Sequence, residues 1–211
     1  MVKKTIVAEQ MLNEYNYYIW EVMFELRAAE GLDNVKMQKA FEILEEMSII
    51  YKEQNQIDKI VVESFITIPG NMFLISKEDI IQGKEIELVS KKLSEYRKNI
   101  LQNYKKNICT IVDKNLINEL RESSIGKEGF LTLVDKCNIY EKQKVKNTFE
   151  IVEKMIDVYK GKKFIDTEVG YILISIYEYL CTPNLQNSRE ILNNVSSQFQ
   201  TYLRMLVEVD G

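Results

Sequence analysis

Apolar residues recur along this chain at steps of three and four, the spacing that gathers side chains on one side of a 3.6-residue helix. In the first segment Ala8, Leu12, Tyr15, Ile19, Val22, Leu26 and Ala29 keep that rhythm, which predicts a helix from near Thr5 to Ala29 that stops at Gly31. Asp33 or Asn34 can cap a second helix. Its Val35, Met37, Ala40, Phe41, Leu44, Met47, Ser48 and Tyr51 form the stripe that would return against the first. Glu42, Glu45 and Glu46 lie off that stripe and read as a solvated face.

From Ile57 to Ile75 the period is ambiguous. Ile60 to Ile68 suits a short buried helix or a strand, and Pro69-Gly70-Asn71 is a strong turn signal. If Phe65–Ile68 and Met72–Ile75 are extended, they make a small β-hairpin near 65–75. Ser76 with Asp79 then resembles a capping box, and a long helical region follows through Ile86, Val89, Leu93, Tyr96 and Ile100, bending near Asn107 on its way to Leu120. Ser123 to Gly126 is a break. A short helix near Glu128–Cys137, a longer one from about Tyr140 to Lys160 closed by Gly161, and a final helix capped by Asn187 or Ser188 complete the chain.

The most apolar run is Val169 to Cys181, interrupted only by Gly170, Ser175 and Glu178. A helix apolar on nearly every side belongs among other helices. Asp166 and Thr167 stand where they can cap it, and Pro183 forbids its continuation. The fold class is therefore all-α: a single-domain multi-helix bundle around a buried helix at about 167–181. Within residues 1–211, the candidate lobes are 1–68, an N-terminal helical hairpin and connector, and 76–211, a C-terminal bundle. No internal repeat or low-complexity tract stands out.

Composition narrows the chemistry. Histidine is absent, which removes Ser-His-Asp and Cys-His catalysis, His-ligated zinc and imidazole acid–base chemistry together. Neither a Walker-type phosphate loop nor a Gly-x-Gly-x-x-Gly motif is present. No cofactor or metal is expected. Cys109, Cys137 and Cys181 are odd in number and widely spaced, the pattern of reduced core thiols. The formal charge of -4 argues against a general polyanion binder. With no run of ~20 apolar residues and no signal-peptide core, a cytoplasmic location without a membrane span is the expectation.

Three features carry candidate function. Tyr17, Trp20 and Phe24, flanked by Arg27, make a second apolar stripe on the first helix. It either packs a second layer of the same domain or forms a protein-binding or dimer surface, because Trp, Tyr and Arg are enriched in interface hot spots. Residues 130–152 have the outline of a degenerate helix-turn-helix, with Lys142, Gln143, Lys144 and Lys146 near the start of the would-be reading helix. Lys84, Lys91, Lys98 and Lys105 recur every seven residues, joined by Lys92, Arg97 and Lys106, and read as a solvated face. The leading reading is a non-enzymatic interaction module of inhibitor, immunity or adaptor type. A DNA-binding regulator is the first alternative, and a carboxylate- or lysine-dependent enzyme the second.

Overall fold

The seam of the first segment is buried as far as Leu26, while its last predicted member, Ala29, is exposed beyond the helix end, in a computed structural model that describes residues 2–52, 54–78, 82–102, 111–137, 141–181 and 189–207. Helix α1 spans Val2–Arg27, and Ala8, Leu12, Tyr15, Ile19, Val22 and Leu26 are all buried. Ala29 and Gly31 take positive φ at 58° and 97°, which turns the chain into α2, Asn34–Ile50. Asp33 caps α2, its Oδ1 accepting from the Val35 and Lys36 amides at 2.8 and 3.0 Å. The Lys36 ammonium binds Glu25 and lies 3.6 Å from Glu21, so α2 returns along the last turns of α1.

Two short strands and seven further helices follow among the described residues: β1 (Gln56–Asp58), α3 (Lys59–Glu78), α4 (Gly83–Gln102), α5 (Lys114–Ser124), α6 (Phe130–Cys137), α7 (Lys142–Tyr159), β2 (Phe164–Asp166), α8 (Thr167–Cys181) and α9 (Arg189–Val207). The all-α class holds. Val169, Ile172, Leu173, Ile174 and Ile176 of α8 are buried, as expected of a helix apolar on most sides.

The chain divides into two compact units, Met1–Gln54 with Ser64–Tyr104, and Asn55–Glu63 with Lys105–Gly211. In the first, α2 packs against α1 and α4, and Tyr15 meets Phe65 of α3 edge-on at 6.3 Å. In the second, α7 packs against α5 and α9, α8 against α5 and α9, and β1 pairs antiparallel with β2. The chain's first strand thus belongs to the unit built mainly from its second half.

Four expectations need correction. The hairpin near 65–75 does not form, because α3 continues through Pro69 and Gly70. Val61, Val62, Phe65, Ile66, Ile68, Met72 and Ile75 are buried, and burying that helical set outweighs a local turn signal and the backbone hydrogen bond that proline cannot donate. The sheet lies elsewhere, at residues too short in sequence to show a two-residue period. Ser76 is buried in the last turns of α3 and does not start a helix; Asp79 lies outside the described residues. Asp166 does not cap α8. Its carboxylate accepts from the Ile111 amide at 2.9 Å and the Val112 amide at 3.0 Å, and from the Tyr159 hydroxyl at 2.6 Å, all in the second unit.

The fourth correction is that the chain carries one motif twice. Phe41, Ile43, Met47 and Tyr51 of α2 precede Phe149, Ile151, Met155 and Tyr159 of α7 by 108 residues, as Ile57-Asp58 of β1 precede Ile165-Asp166 of β2. Val61, Ile66 and Ile68 of α3 match Val169, Ile174 and Ile176 of α8 at the same interval. At an interval of 106, Val89, Ser90 and Tyr96 of α4 match Val195, Ser196 and Tyr202 of α9. Contacts repeat as well. Tyr96 donates to Glu45 at 2.6 Å and stacks on Phe41, while Tyr202 donates to Glu153 at 2.5 Å and lies against Phe149. The strand pair obeys the same symmetry: Ile57 faces Ile165, Gln56 faces Asp166 and Asp58 faces Phe164.

Candidate functional site

The face of α1 opposite its buried seam carries Tyr17, Trp20 and Phe24, which are 60, 48 and 73 % exposed. Arg27 follows, also exposed. Steps of three and four keep the four residues on one stripe, about 15 Å long at 1.5 Å per residue. The sequence left open whether this stripe packs inside the domain. It does not: no layer of the chain covers it among the described residues. Tyr18 braces Tyr17 edge-on, with ring centroids 5.4 Å apart at 67°. Along the flank, Glu21, Glu25 and Asp33 surround the Lys36 ammonium. The Glu25 hydrogen bond raises the pKa of Lys36, so this ammonium stays charged at neutral pH.

The would-be reading helix is α7. Lys142, Gln143 and Lys146 are exposed and Lys144 is half-buried, but several are engaged within the chain. Lys144 donates to the Glu128 carbonyl at 2.7 Å, Gln143 to Asn147 at 2.8 Å, and Lys146 sits 3.6 Å from Glu150. The turn at 138–140 lies outside the described residues. The basic stripe of α4 is also partly internal. Arg97 is buried and donates to Ser94 at 2.5 Å, whereas Lys92 lies over the Phe41 ring at 3.9 Å. Lys105, Lys106 and Cys109 fall outside the described residues, and of Cys137 and Cys181 only the backbone is described.

A groove of about 580 Å³ runs between α7 and α9. Val145, Phe149 and Val195 form its apolar floor; Lys142 and Lys146 lie toward one end of α7, and Glu150 and Glu153 farther along it. Sequence reasoning passed over this groove. Its signal was the recurrence of Phe-Glu-Ile in α2 and α7 with a tyrosine in α4 and α9, visible only at an interval of about a hundred residues.

The second unit holds a buried polar network of its own. Lys59 donates its ammonium to the Tyr159 carbonyl at 2.8 Å, and the Tyr159 hydroxyl reaches Asp166. Burial and the Asp166 charge both raise the Tyr159 phenol. The network ties the first residue of α3, the end of α7, β2 and the segment before α5 together. Among the described residues no group of three or more His, Cys, Asp or Glu side chains is placed to hold a metal ion, and no helix is long and apolar enough to cross a membrane. No protein-family model matches the chain, and no curated protein or solved structure shows significant similarity to it.

Proposed function

We propose that the protein is a cytosolic, non-enzymatic interaction module that binds a protein partner, or a second copy of itself, through the aromatic face of α1. The observation that carries this reading is the division of α1 into two faces: one set of apolar residues is fully buried, and a second set, Tyr17, Trp20 and Phe24, is left in solvent. Three adjacent exposed aromatics beside an arginine have the composition of an interface core, where such side chains supply most of the binding energy.

The test is Trp20→Ala, read by thermal unfolding and by association state together. A surface truncation changes stability by only about 0.5 kcal/mol, whereas loss of a hot-spot anchor weakens association by about 2 kcal/mol or more. Sedimentation at rising concentration reads self-association, and capture from the native host, compared between wild type and variant, reads a separate partner. An unchanged association state and unchanged captured proteins in a stable Trp20→Ala variant would remove the stripe from function.

A further inference from the structure

The two copies of the motif differ at one position that decides what their grooves hold. In the first unit Phe41 and Tyr96 stack with ring centroids 5.6 Å apart. The Tyr96 hydroxyl is held by Glu45, and the ammonium of Lys92 sits 3.9 Å from the Phe41 centroid and 5.9 Å from that of Tyr96. The cradle has two aromatic faces and a nearby carboxylate, and it is filled by the chain's own cation. Attraction of an ammonium to the negative faces of the rings accounts for the geometry.

In the second unit the cradle recurs. Phe149 and Tyr202 lie 5.3 Å apart, Tyr202 is held by Glu153, and Glu150 stands where Glu42 stands in the first. The position matching Lys92 is Gln198, whose amide lies beside the Tyr202 hydroxyl. A neutral amide leaves the ring faces and Glu153 without the ammonium that the first unit supplies, and a groove of about 580 Å³ remains over them. The neighbouring lysines do not replace it. Lys146 points to Glu150 with most of its side chain in solvent, and Lys142 lies a turn farther toward the start of α7.

We infer that the groove between α7 and α9 receives a lysine side chain of a partner protein, its ammonium over Phe149 and Tyr202 beside Glu153. The occupant follows from the template inside the molecule: the first unit fills the same cradle with a primary ammonium on a four-carbon stem. The floor of Val145 and Val195 suits the aliphatic stem and flanking peptide, while Lys142 and Lys146 disfavour a partner that is basic throughout. A single lysine among neutral or acidic neighbours fits the charges present. This site is separate from the aromatic face of α1 and does not depend on it.

The test titrates the full chain with three probes, the capped tripeptides Ala-Lys-Ala and Ala-norleucine-Ala and free n-butylammonium, followed by chemical-shift changes at Phe149 and Tyr202. The lysyl peptide is expected to bind at least about fivefold tighter than the norleucine peptide, the ratio that one cation–π contact supplies. It should also bind tighter than n-butylammonium. Gln198→Lys, at an exposed position, refills the cradle from within and should weaken lysyl-peptide binding about tenfold. Lys92→Gln should open the equivalent site near Phe41 and Tyr96, adding shifts there. Glu153→Gln serves as a second variant and should weaken binding with the fold intact by circular dichroism. Equal binding of the lysyl and norleucine peptides, or unchanged affinity in Gln198→Lys, overturns the cation site. Binding of n-butylammonium as tight as the lysyl peptide overturns the protein partner in favour of a free amine.

Discussion

The Tyr159 hydroxyl donates to Asp166 Oδ2 at 2.6 Å, joining the end of α7 to the end of β2 inside the second unit. The same carboxylate accepts from the amides of Ile111 and Val112, so one buried acid ties the segment before α5 to the end of α7 and to β2. A buried carboxylate is costly unless its lone pairs are met, and here the chain meets them before α5 begins. Removing the phenol leaves one acceptor site of that carboxylate unsatisfied. Tyr159→Phe should therefore cost about 1.5–3 kcal/mol, the range for hydrogen bonds to charged groups, measured by denaturant unfolding. A loss under about 0.5 kcal/mol would mean the two amides alone suffice.

Alkaline pH should destabilise the fold. Burial raises the Tyr15 phenol, with the Arg97 charge opposing it, and burial together with the Asp166 charge raises Tyr159. Tyr96 is pushed up to about 12, first by its hydrogen bond to Glu45. In each case the folded state holds its proton above the pH near 10 at which the unfolded tyrosine releases it. Stability from these groups is complete below that pH and falls as pH rises, by about 1.4 kcal/mol per pH unit for each fully buried tyrosine. Absorbance titration should find Tyr15 and Tyr159 among the phenols that ionise only on unfolding. Ready ionisation of all 12 tyrosines in the folded protein would contradict this.

The helices were legible because burial and the three-four period agree along most of α1, α2 and α7, and because α8 is apolar on nearly every side. The α1 seam, the Asp33 cap and the apolar run of α8 were each set by a few local residues. What escaped the sequence reading was set by distant ones. Pro69-Gly70 is a turn signal in isolation, yet the buried side of α3 keeps it helical. Arg97 looked like one more solvent-facing base, but it lies in the interior near Tyr15. Asp166 stood in the position of a helix cap, while its partners come from residues 111, 112 and 159. The duplication was hidden because its matches are short and scattered, Phe-Glu-Ile and Ile-Asp among them, and its interval far exceeds that of stacked repeats. The exposed stripe of α1 was visible in sequence, whereas the groove of α7 and α9 needed two helices brought together.

The core of α8 gives a direct test of packing. Leu173 is fully buried, with Val169, Ile172, Ile174 and Ile176 also buried on the same helix. Truncation leaves a cavity that close-packed neighbours only partly fill. Leu173→Ala should cost about 2–5 kcal/mol by denaturant unfolding. A loss below about 1 kcal/mol would show that the site collapses easily or is not closely packed.

The assignment of β1 to the second unit predicts how fragments behave. β2 finds its strand partner in Gln56–Asp58, the Thr167 amide donates to the Asn55 carbonyl at 2.8 Å, and the Lys59 amide to the Lys163 carbonyl at 3.1 Å. Lys59 also supplies its buried ammonium to the Tyr159 carbonyl. A fragment of residues 105–211 loses all of these, exposing Ile165 and leaving the backbone of β2 without its ladder partner. It should be partly unfolded by circular dichroism and slow to gain amide protection. Adding a peptide of residues 55–63 should restore helicity in a saturable way, and the same peptide with Ile57→Asp should fail, because it would bury a charge opposite Ile165. A fragment that is fully folded without the peptide would show that β1 is an accessory of the second unit and not part of its structure.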